Sequence, residues 1–317
     1  MATKAALIGP WPPRIRGGRP LQAIHAAAAA ALLVAGCSPA PDANRPPGQM
    51  TREQTIAWAR GIDPCALVDR KAMLSLGGRT GIATSDESTM CEATIDATSV
   101  RWSITFRPTD FDTSPALGPV QQIDGAQVRK VKTSGTQCAY TVALESELAV
   151  TMSIVTDQDR NACNDGEPLI KNLVANWSKY PRQGSSPSTV VTALTNTTPC
   201  VFVDQMRTSH TVEFDWAQQE LNTCTLRLDG VDVQLRFGHS DPAGLAAAQP
   251  ARFGEHDGFV DTAQATTTAR AVVGDQFTGI SRGKTTVLAP IITVSGNEAA
   301  TVAAVMITAL DQLAPTE

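Results

Sequence analysis

The chain contains an internal repeat that begins at a proline–cysteine pair. Residues 62–69 (IDPCALVD) match residues 197–204 (TTPCVFVD). Each segment offers an N-cap residue, a proline at the first helical position and then apolar side chains, which predicts the start of a short helix. A second cysteine follows after 26 residues in the first copy and after 24 residues in the second. The repeat therefore predicts that the chain folds as two copies of one unit.

The segments after each second cysteine have the sequence pattern of β-strands. Apolar and polar residues alternate over 100–106 and over 231–237, the period of two that is typical of a half-buried strand. Asp229-Gly230, just before the second of these runs, is a strong signal for a tight hairpin. Another alternating run, 148–154, comes late in the first copy and is matched by 287–294 in the second. Each copy is thus predicted to contain an antiparallel sheet.

Each copy ends in a stretch whose apolar residues have helical spacing. The stretches 169–177 and 302–313 each place these residues on one face. A further short helix is predicted from Asp241 to Gln249, with Asp241 as its N-cap and Pro242 in its first turn. Runs of strands flanked by helices, without β-α-β alternation, indicate an α+β fold. We predict two tandem domains, each an antiparallel sheet flanked by N- and C-terminal helices and held by disulfides.

The first 37 residues have the pattern of a bacterial lipoprotein signal. Three arginines precede an apolar stretch, 26–35, which leads through small residues to Cys37. Small residues before a cysteine mark the cleavage site at which that cysteine takes the lipid. The apolar run of about 10 residues is too short for a membrane span, which needs about 20. We expect a signal peptide over 1–36, lipidation of Cys37 and anchoring to the outer face of the cell membrane.

Two stretches rich in proline, glycine and serine divide the rest of the chain. Residues 38–50 carry four prolines and no apolar periodicity, which predicts an extended tether. Residues 181–188 (PRQGSSPS) lie between the two copies. The predicted organisation is a signal peptide at 1–36, a lipidated tether at 37–50, a first α+β domain at 51–180, a linker at 181–190 and a second α+β domain at 191–317.

The cysteine content is typical of an exported, disulfide-bonded protein. Setting Cys37 aside leaves six of the seven cysteines, an even number that permits many pairings. A zinc site is not favoured, because no CxxC pair or Cys/His cluster is present. Sequential pairs are separated by similar intervals, and the repeat places the first and third pairs at matched positions, whereas the second pair follows by elimination. The expected disulfides are Cys65–Cys91, Cys138–Cys163 and Cys200–Cys224.

Three features of the chain resemble a family of actinobacterial envelope lipoproteins of unknown function, called domain of unknown function 3558. They are the motif at residues 63–68 (DPCALV), the cysteine of the following strand and the lipidation motif with its proline-rich tether. The resemblance covers about residues 60–180, and in the second copy Thr198 replaces the aspartate. The chain resembles more loosely the extracellular sensor domains of actinobacterial receptor kinases and small envelope lipoproteins with a PsbP-like α/β/α sandwich. These resemblances imply a location and a fold, and none of them supplies a catalytic motif.

The charge of the mature chain argues against nucleic acid as a partner. Loss of the leader removes four basic and no acidic residues, so that 22 Lys and Arg would face 31 Asp and Glu. A nucleic-acid binder needs a basic face to displace counterions from phosphates, and the sequence has no basic run. Anionic headgroups would also repel this charge. The lipid is therefore expected to hold the protein at the membrane.

The sequence has no recognisable catalytic or metal-binding motif. His210, His239 and His256 are separated by 29 and 17 residues, which is not the spacing of a zinc motif, so ordinary surface or core roles are expected for them. No G-x-S-x-G elbow, P-loop or dinucleotide fingerprint occurs. Because catalytic triads assemble in space, a hydrolase stays open as an alternative. We expect no cofactor and no metal.

Phe214 and Trp216 are the side chains that the sequence offers as candidates for ligand contact. They lie among polar residues between a helix and a strand of the second copy, where they could line an apolar cleft, although capping the core is the commoner role. The loops 210–222 and 76–90 differ most between the copies, and such loops commonly carry binding residues. We predict a non-catalytic binding or sensing module for a lipid, a small molecule or an envelope protein. A scaffold for an envelope complex and a hydrolase are the alternatives.

Overall fold

The structure is a computed structural model that describes residues 50–145, 147–157, 160–245 and 248–313. The predicted signal peptide, the lipidation site Cys37 and the tether as far as residue 49 lie outside these ranges. No helix within the ranges has the length and the apolar character of a membrane span. The described chain has an α+β fold with two antiparallel sheets and three disulfides.

The first half of the described chain forms a seven-stranded sheet. Its elements in chain order are α1 (Arg52–Arg60), a 3-10 turn (Pro64–Ala66), α2 (Arg70–Leu74), β1 (Thr80–Thr84), β2 (Met90–Ile95), β3 (Thr98–Phe106), a 3-10 turn (Pro115–Leu117), β4 (Val120–Ile123), β5 (Ala126–Lys132), β6 (Gln137–Ala143), β7 (Leu148–Val155) and α3 (Ala162–Trp177). The strands lie in the order β1-β2-β3-β7-β6-β5-β4, and all neighbours are antiparallel.

The second half forms an eight-stranded sheet. Its elements in chain order are α4 (Val203–Met206), β8 (Val212–Glu213), a 3-10 turn (Trp216–Gln218), β9 (Thr223–Leu228), β10 (Val231–Ser240), α5 (Pro242–Leu245), β11 (Gln249–Phe253), β12 (His256–Ala263), β13 (Thr266–Val272), β14 (Phe277–Ser281), β15 (Lys284–Gly296) and α6 (Ala299–Leu313). Seven strands lie in the order β11-β12-β13-β15-β10-β9-β8, and β14 pairs with β15 only.

The two sheets have the same strand order once β14 is set aside. Strands β8, β9, β10, β15, β13, β12 and β11 take the places of β1, β2, β3, β7, β6, β5 and β4. The register agrees as well, because Cys91 pairs with Trp102 across β2 and β3, and Cys224 pairs with Leu235 across β9 and β10. Residues at these positions are therefore equivalent in strand order and register.

The second sheet carries an insertion that the first sheet lacks. Tyr140 pairs with Met152 across β6 and β7, a separation of 12 residues, whereas Ala269 pairs with Val294 across β13 and β15, a separation of 25 residues. The additional residues form a hairpin made of β14 and the beginning of β15. We call this hairpin, residues 277–288, the arm.

One long helix packs on each sheet, on the apolar stripe that the sequence predicts. Helix α3 contacts β5, β6 and β7, and α6 contacts β10, β11, β13 and β15. The buried side chains of the stripes are Leu169, Ile170, Leu173 and Trp177 in α3 and Val302, Val305, Met306 and Leu310 in α6. Burial of an apolar side chain of this size stabilises the fold by about 1.5–3 kcal/mol, so each stripe is a principal attachment of its helix.

The helix starts differ in detail from the sequence prediction. The first proline–cysteine segment forms a 3-10 turn capped by Asp63, and the second forms turns that lead into α4. The helix predicted from Asp241 to Gln249 is shorter in the structure. Its described part is the four residues of α5, and Gln249 already begins β11. Asp241 Oδ1 nevertheless accepts the hydrogen bond from Ala243 N, at 2.9 Å, that the N-cap prediction requires.

All three predicted disulfides are confirmed. Cys65–Cys91 and Cys200–Cys224 occupy equivalent places, each joining the proline–cysteine segment to the second strand of its sheet. Cys138–Cys163 joins β6 to the first turn of α3, so its second cysteine lies inside the closing helix and not before it. The disulfides link each opening segment to its sheet and, in the first half, link the closing helix as well.

The predicted linker is hydrogen-bonded to the first half. The buried carboxylate of Asp63 accepts hydrogen bonds from Cys65 N (2.9 Å), Ser186 N (2.8 Å) and the hydroxyl of Thr189. Gln183 Nε2 donates to Ile62 O at 2.8 Å. Asp63 thus caps its own turn and holds the connecting segment. Thr198 takes the place of this aspartate in the second half.

Candidate ligand-binding site between the two halves

The two halves meet through equivalent residues. Ile104 N donates to Thr89 O at 3.0 Å, and Phe237 N donates to Asn222 O at 2.9 Å, so Thr89 and Asn222 occupy the same position in their sheets. Asn222 Nδ2 in turn donates to Thr89 Oγ1 at 2.6 Å. Contact between equivalent positions is what a two-fold axis produces in a homodimer. This contact, together with the matched positions of the two cavities described below, places the halves about an approximate two-fold axis close to this pair.

Arg60, the last residue of α1, fixes this contact from the first half. Its side chain is buried, and Nη1 donates to Leu221 O (2.9 Å) and to Asn222 Oδ1 (2.6 Å), while Nη2 donates to Leu194 O. Burial lowers the pKa of Arg60 to about 9, against an opposing effect of Glu87. The guanidinium is still protonated at neutral pH, so a buried cation of one half is held by three acceptors of the other.

The arm extends this contact over the first sheet. Strand β14 contacts β1 and β2, and Gly283 N donates to the buried carboxylate of Glu92, which also accepts from Arg101 Nη2 at 2.9 Å. A Cβ added at Gly279 would lie 2.7 Å from Thr84 O, so β14 can approach β1 this closely only with glycine at that position. The arm thus belongs to the second half in sequence and is held by the first.

A cavity of about 720 Å³ lies beneath the arm. We call it the arm cavity. Its walls come from the arm, the end of β10, the facing part of β15 and Asp86 of the first half. Two apolar side chains, Leu288 and Ile291, lie against five that carry hydroxyl groups, namely Ser240, Ser281, Thr285, Thr286 and Thr293. Such a lining suits a polar ligand, since hydroxyl groups both donate and accept hydrogen bonds.

The arm also brings cations to the cavity. Arg282 and Lys284 are exposed, and neither has a carboxylate within ion-pair distance among the residues that the structure describes. A third cation of the lining, Arg236, is paired with Glu87 of the first half. The acidic groups of the lining are Asp86, which lies 3.7 Å from Arg101, and Asp241. Among the described residues, the cavity therefore presents two unpaired cations against one unpaired carboxylate, Asp241, in a chain whose net charge is negative.

His239 lines the arm cavity at the end of β10. The side chain is 5 % exposed, and its Nδ1 lies 2.7 Å from Ser85 O of the first half. Because a carbonyl oxygen only accepts, Nδ1 carries the hydrogen in the neutral ring and Nε2 is an acceptor. Nε2 is buried and has no hydrogen-bond partner among the described residues. The ring of Phe277, in the arm, packs perpendicular to the imidazole with centroids 5.0 Å apart.

Burial is the main cause that lowers the pKa of His239. The positive charge of Arg60 acts in the same direction, whereas the hydrogen bond to Ser85 and the carboxylates of Asp86 and Glu87 oppose it. The imidazole is therefore neutral at neutral pH. The neutral ring places Nε2, a buried acceptor without a hydrogen-bond partner among the described residues, in the cavity that Arg282 and Lys284 also line.

A second cavity, of about 770 Å³, occupies the equivalent place on the other side of the two-fold axis. It lies between the end of β3 and the loop before β9, just as the arm cavity lies between the end of β10 and the loop before β2. Phe106 is here the equivalent of His239. The guanidinium of Arg52 lies 3.0 Å from the centroid of the Phe106 ring and donates to Glu147 (3.0 Å) and to Gln219 O (2.8 Å). This cavity is thus partly filled by a side chain of its own protein.

Phe214 and Trp216 lie outside the lining of both cavities. They are half-buried and pack on each other edge to face, with ring centroids 4.9 Å apart. Phe214 contacts the core of the second half, and Trp216 contacts the cores of both halves. The loops that the sequence analysis selected do reach the cavities, through Asp86 in one and Gln218 in the other. Ligand contact by the two aromatic residues stays a prediction.

The sequence did not lead us to predict that His239 is buried and lines a cavity. The other two histidines have ordinary surface roles, since His210 pairs with Asp229 at 2.7 Å and His256 lies 3.9 Å from Asp311. The signal was present in the alternation over 231–237, which extends by one step to residue 239 and so predicts an inward-facing imidazole. The cations of the arm carried no comparable signal, because their place depends on how the arm docks.

The fold and this site define a protein of two docked α+β halves with a polar, cationic cavity at their contact. No family model, no curated protein and no solved structure matches the chain. Function is therefore inferred from the arm cavity and from the N-terminal sequence.

Proposed function

We propose that the protein is a lipid-anchored lipoprotein of the cell envelope that binds a small anionic molecule in the arm cavity without changing it chemically. The lipidation motif at Cys37 and the resemblance to actinobacterial envelope lipoproteins support the location. We also propose that the two halves are tandem copies of one domain, each an antiparallel sheet with helices before and after it. The common strand order and the matched registers support this organisation.

The observation that carries the binding proposal is the pair of unpaired cations, Arg282 and Lys284, in a cavity of this size. Cations that are not paired within the protein are available to an anionic ligand, and hydrogen bonds to charged groups are worth about 1.5–3 kcal/mol each. The hydroxyl groups around them favour a polar ligand over the acyl chain of a lipid. A small polar anion is thus favoured among the ligand classes that the sequence leaves open.

The test is calorimetric titration of the full-length protein, purified in detergent, with glucuronate and with glucose 1-phosphate as anionic probes and glucose as the neutral one. We expect both anions to bind and glucose to bind at least tenfold more weakly. The double variant Arg282→Gln/Lys284→Gln should weaken the binding of either anion by about tenfold or more, since about 1.4 kcal/mol corresponds to a factor of ten.

The matched control is Lys71→Gln/Lys171→Gln, which removes the same charge from two exposed lysines on α2 and α3. Equal losses in the two double variants would show that overall charge, and not the arm cavity, attracts the anion. Absence of binding by both anionic probes would contradict the proposal. Release of glucose and phosphate from glucose 1-phosphate beyond the amount of protein would favour the hydrolase alternative.

A further inference from the structure

The chemistry of His239 narrows the class of ligand, on the basis of the proposed function. Its Nδ1 is committed to Ser85 O, so that Nε2 is left as an acceptor only. A buried acceptor without a partner is energetically unfavourable, and proteins rarely keep one. Nε2 of His239 is such an atom among the described residues, in a side chain that lines the arm cavity.

Packing alone does not explain why an imidazole occupies this position. The equivalent residue of the first half is Phe106, whose ring is also buried at the end of its strand. An apolar ring is therefore sufficient to fill the place. The imidazole adds two polar atoms, of which Nδ1 serves the contact with the first half and Nε2 serves no contact within the described protein.

We infer that the ligand of the arm cavity is an anion that also carries hydroxyl groups, a sugar acid or a sugar phosphate, and that His239 Nε2 accepts a hydrogen bond from one of these hydroxyls. Arg282 and Lys284 hold the anionic group. Because Nε2 is buried, the ligand reaches it only by displacing a group that covers the imidazole. The ring of Phe277, in the arm, packs against the imidazole and is the group that we expect to move. The five hydroxyl side chains of the lining are matched to the remaining hydroxyls of such a ligand.

The inference is tested with anions that differ in their hydroxyl groups. Glucuronate and glucose 1-phosphate carry hydroxyls beside a carboxylate or a phosphate, and adipate carries two carboxylates and no hydroxyl. We expect both sugar anions to bind the full-length protein at least about tenfold more tightly than adipate does, because a site built around a ligand hydroxyl discriminates strongly against its absence. Whichever of the two sugar anions binds more tightly identifies the anionic group of the ligand as a carboxylate or a phosphate.

Two variants assign the preference to His239. His239→Phe installs the residue of the equivalent position, and His239→Asn keeps an N–H that can reach Ser85 O but has no acceptor at the position of Nε2, because its amide oxygen lies nearer the backbone. Each should reduce the preference over adipate to less than about threefold. If His239→Phe does not fold, His239→Asn alone decides the question.

The outcomes separate this inference from the proposed function. If adipate binds as tightly as the sugar anions and Arg282→Gln/Lys284→Gln weakens it, the anion site stands and the hydroxyl requirement is wrong. A preference that survives in both His239 variants also overturns the role of Nε2. If none of the three anions binds, the proposed function and the inference both fall.

Discussion

Phe106 and His239 occupy the same position in the two sheets, and each lines a cavity between the halves. Both rings are buried, so the two halves share the packing at this point. They differ in what the ring offers to the cavity, since Phe106 is covered by Arg52 and His239 keeps an unpaired nitrogen. The two cavities are therefore similar in size but differ in chemistry, since a cation of the protein covers the ring in one and a buried acceptor is left unpaired in the other.

Removal of the Arg60 side chain should weaken the contact between the halves. Arg60→Ala leaves the acceptors Leu194 O, Leu221 O and Asn222 Oδ1 buried without this donor. We expect a loss of about 2–4 kcal/mol in the free energy of unfolding, because each unsatisfied group costs about 1–3 kcal/mol, and the desolvation cost of the buried charge, which the variant no longer carries, offsets part of the total. Urea titration measures it, with the exposed Arg79→Ala as control. Equal stability of the two variants would show that Arg60 does not fix the contact.

Stability should fall in mild acid because of His239. Its pKa is lower in the folded protein than its unfolded value near 6.5, so below about pH 6.5 the unfolded chain binds a proton that the folded chain does not. The contribution is fully present above that pH and is lost as the pH falls toward the lowered pKa. The free energy of unfolding, measured by urea titration at about pH 7.5 and about pH 5.5, should therefore decrease.

The His239→Phe variant isolates this effect. It should show a smaller decrease between the same two pH values, whereas His256→Gln, on the surface, should behave like the natural protein. The groups that face His239 are Arg60, which adds to the lowering, and Asp86 and Glu87, which oppose it. An unaltered pH dependence in His239→Phe would assign the acid sensitivity to other residues.

The disulfide that only the first half contains should be worth several kcal/mol. Cys138–Cys163 closes 25 residues and attaches the first turn of α3 to β6. Cys138→Ala/Cys163→Ala should lower the free energy of unfolding by about 3 kcal/mol, from the conformational freedom returned to the unfolded chain. Unfolding of the oxidised variant and of the natural protein gives the comparison. A loss below about 0.5 kcal/mol would mean that packing of α3 alone fixes this region.

Anchoring is expected to depend on a single sulfur atom. Cys37→Ala removes the site of lipidation and should release the protein from membranes, because the acidic mature chain has no basic run to hold it there. Fractionation after a high-salt wash is the measurement, and Cys37→Ser serves as a second variant. A variant that still sediments wholly with membranes would contradict the lipid anchor.

Local sequence patterns predicted the central strands and the closing helices of this fold, whereas the contact between the halves lay beyond them. Alternating apolar residues located the central strands, and Asp229-Gly230 forms the predicted two-residue hairpin with both residues at positive φ. Helix α1 was missed even though Thr51 and Gln54 form a capping box, a signal that is readable in sequence.

The site depends on residues that come together only when the halves dock. Ser85 and His239 are 154 residues apart, and no sequence pattern relates them. In the sequence, Arg282 and Lys284 do not differ from ordinary cations of a turn and a strand. Their place in the site depends on the docking of the arm on the first sheet. An internal repeat predicts that two copies exist, but it does not predict which faces of the copies meet, because that choice depends on side chains such as Arg60 and Asn222.

The approximate two-fold axis has a consequence for how this protein could diversify. In a homodimer every substitution appears twice, so a residue that makes one cavity bind a ligand also changes its twin. Joining the copies in one chain removes that constraint, because position 106 and position 239 mutate separately. One half can then keep the shape of the pair while the other acquires new chemistry, and the arm, which only the second half of the described chain carries, is a change of this kind.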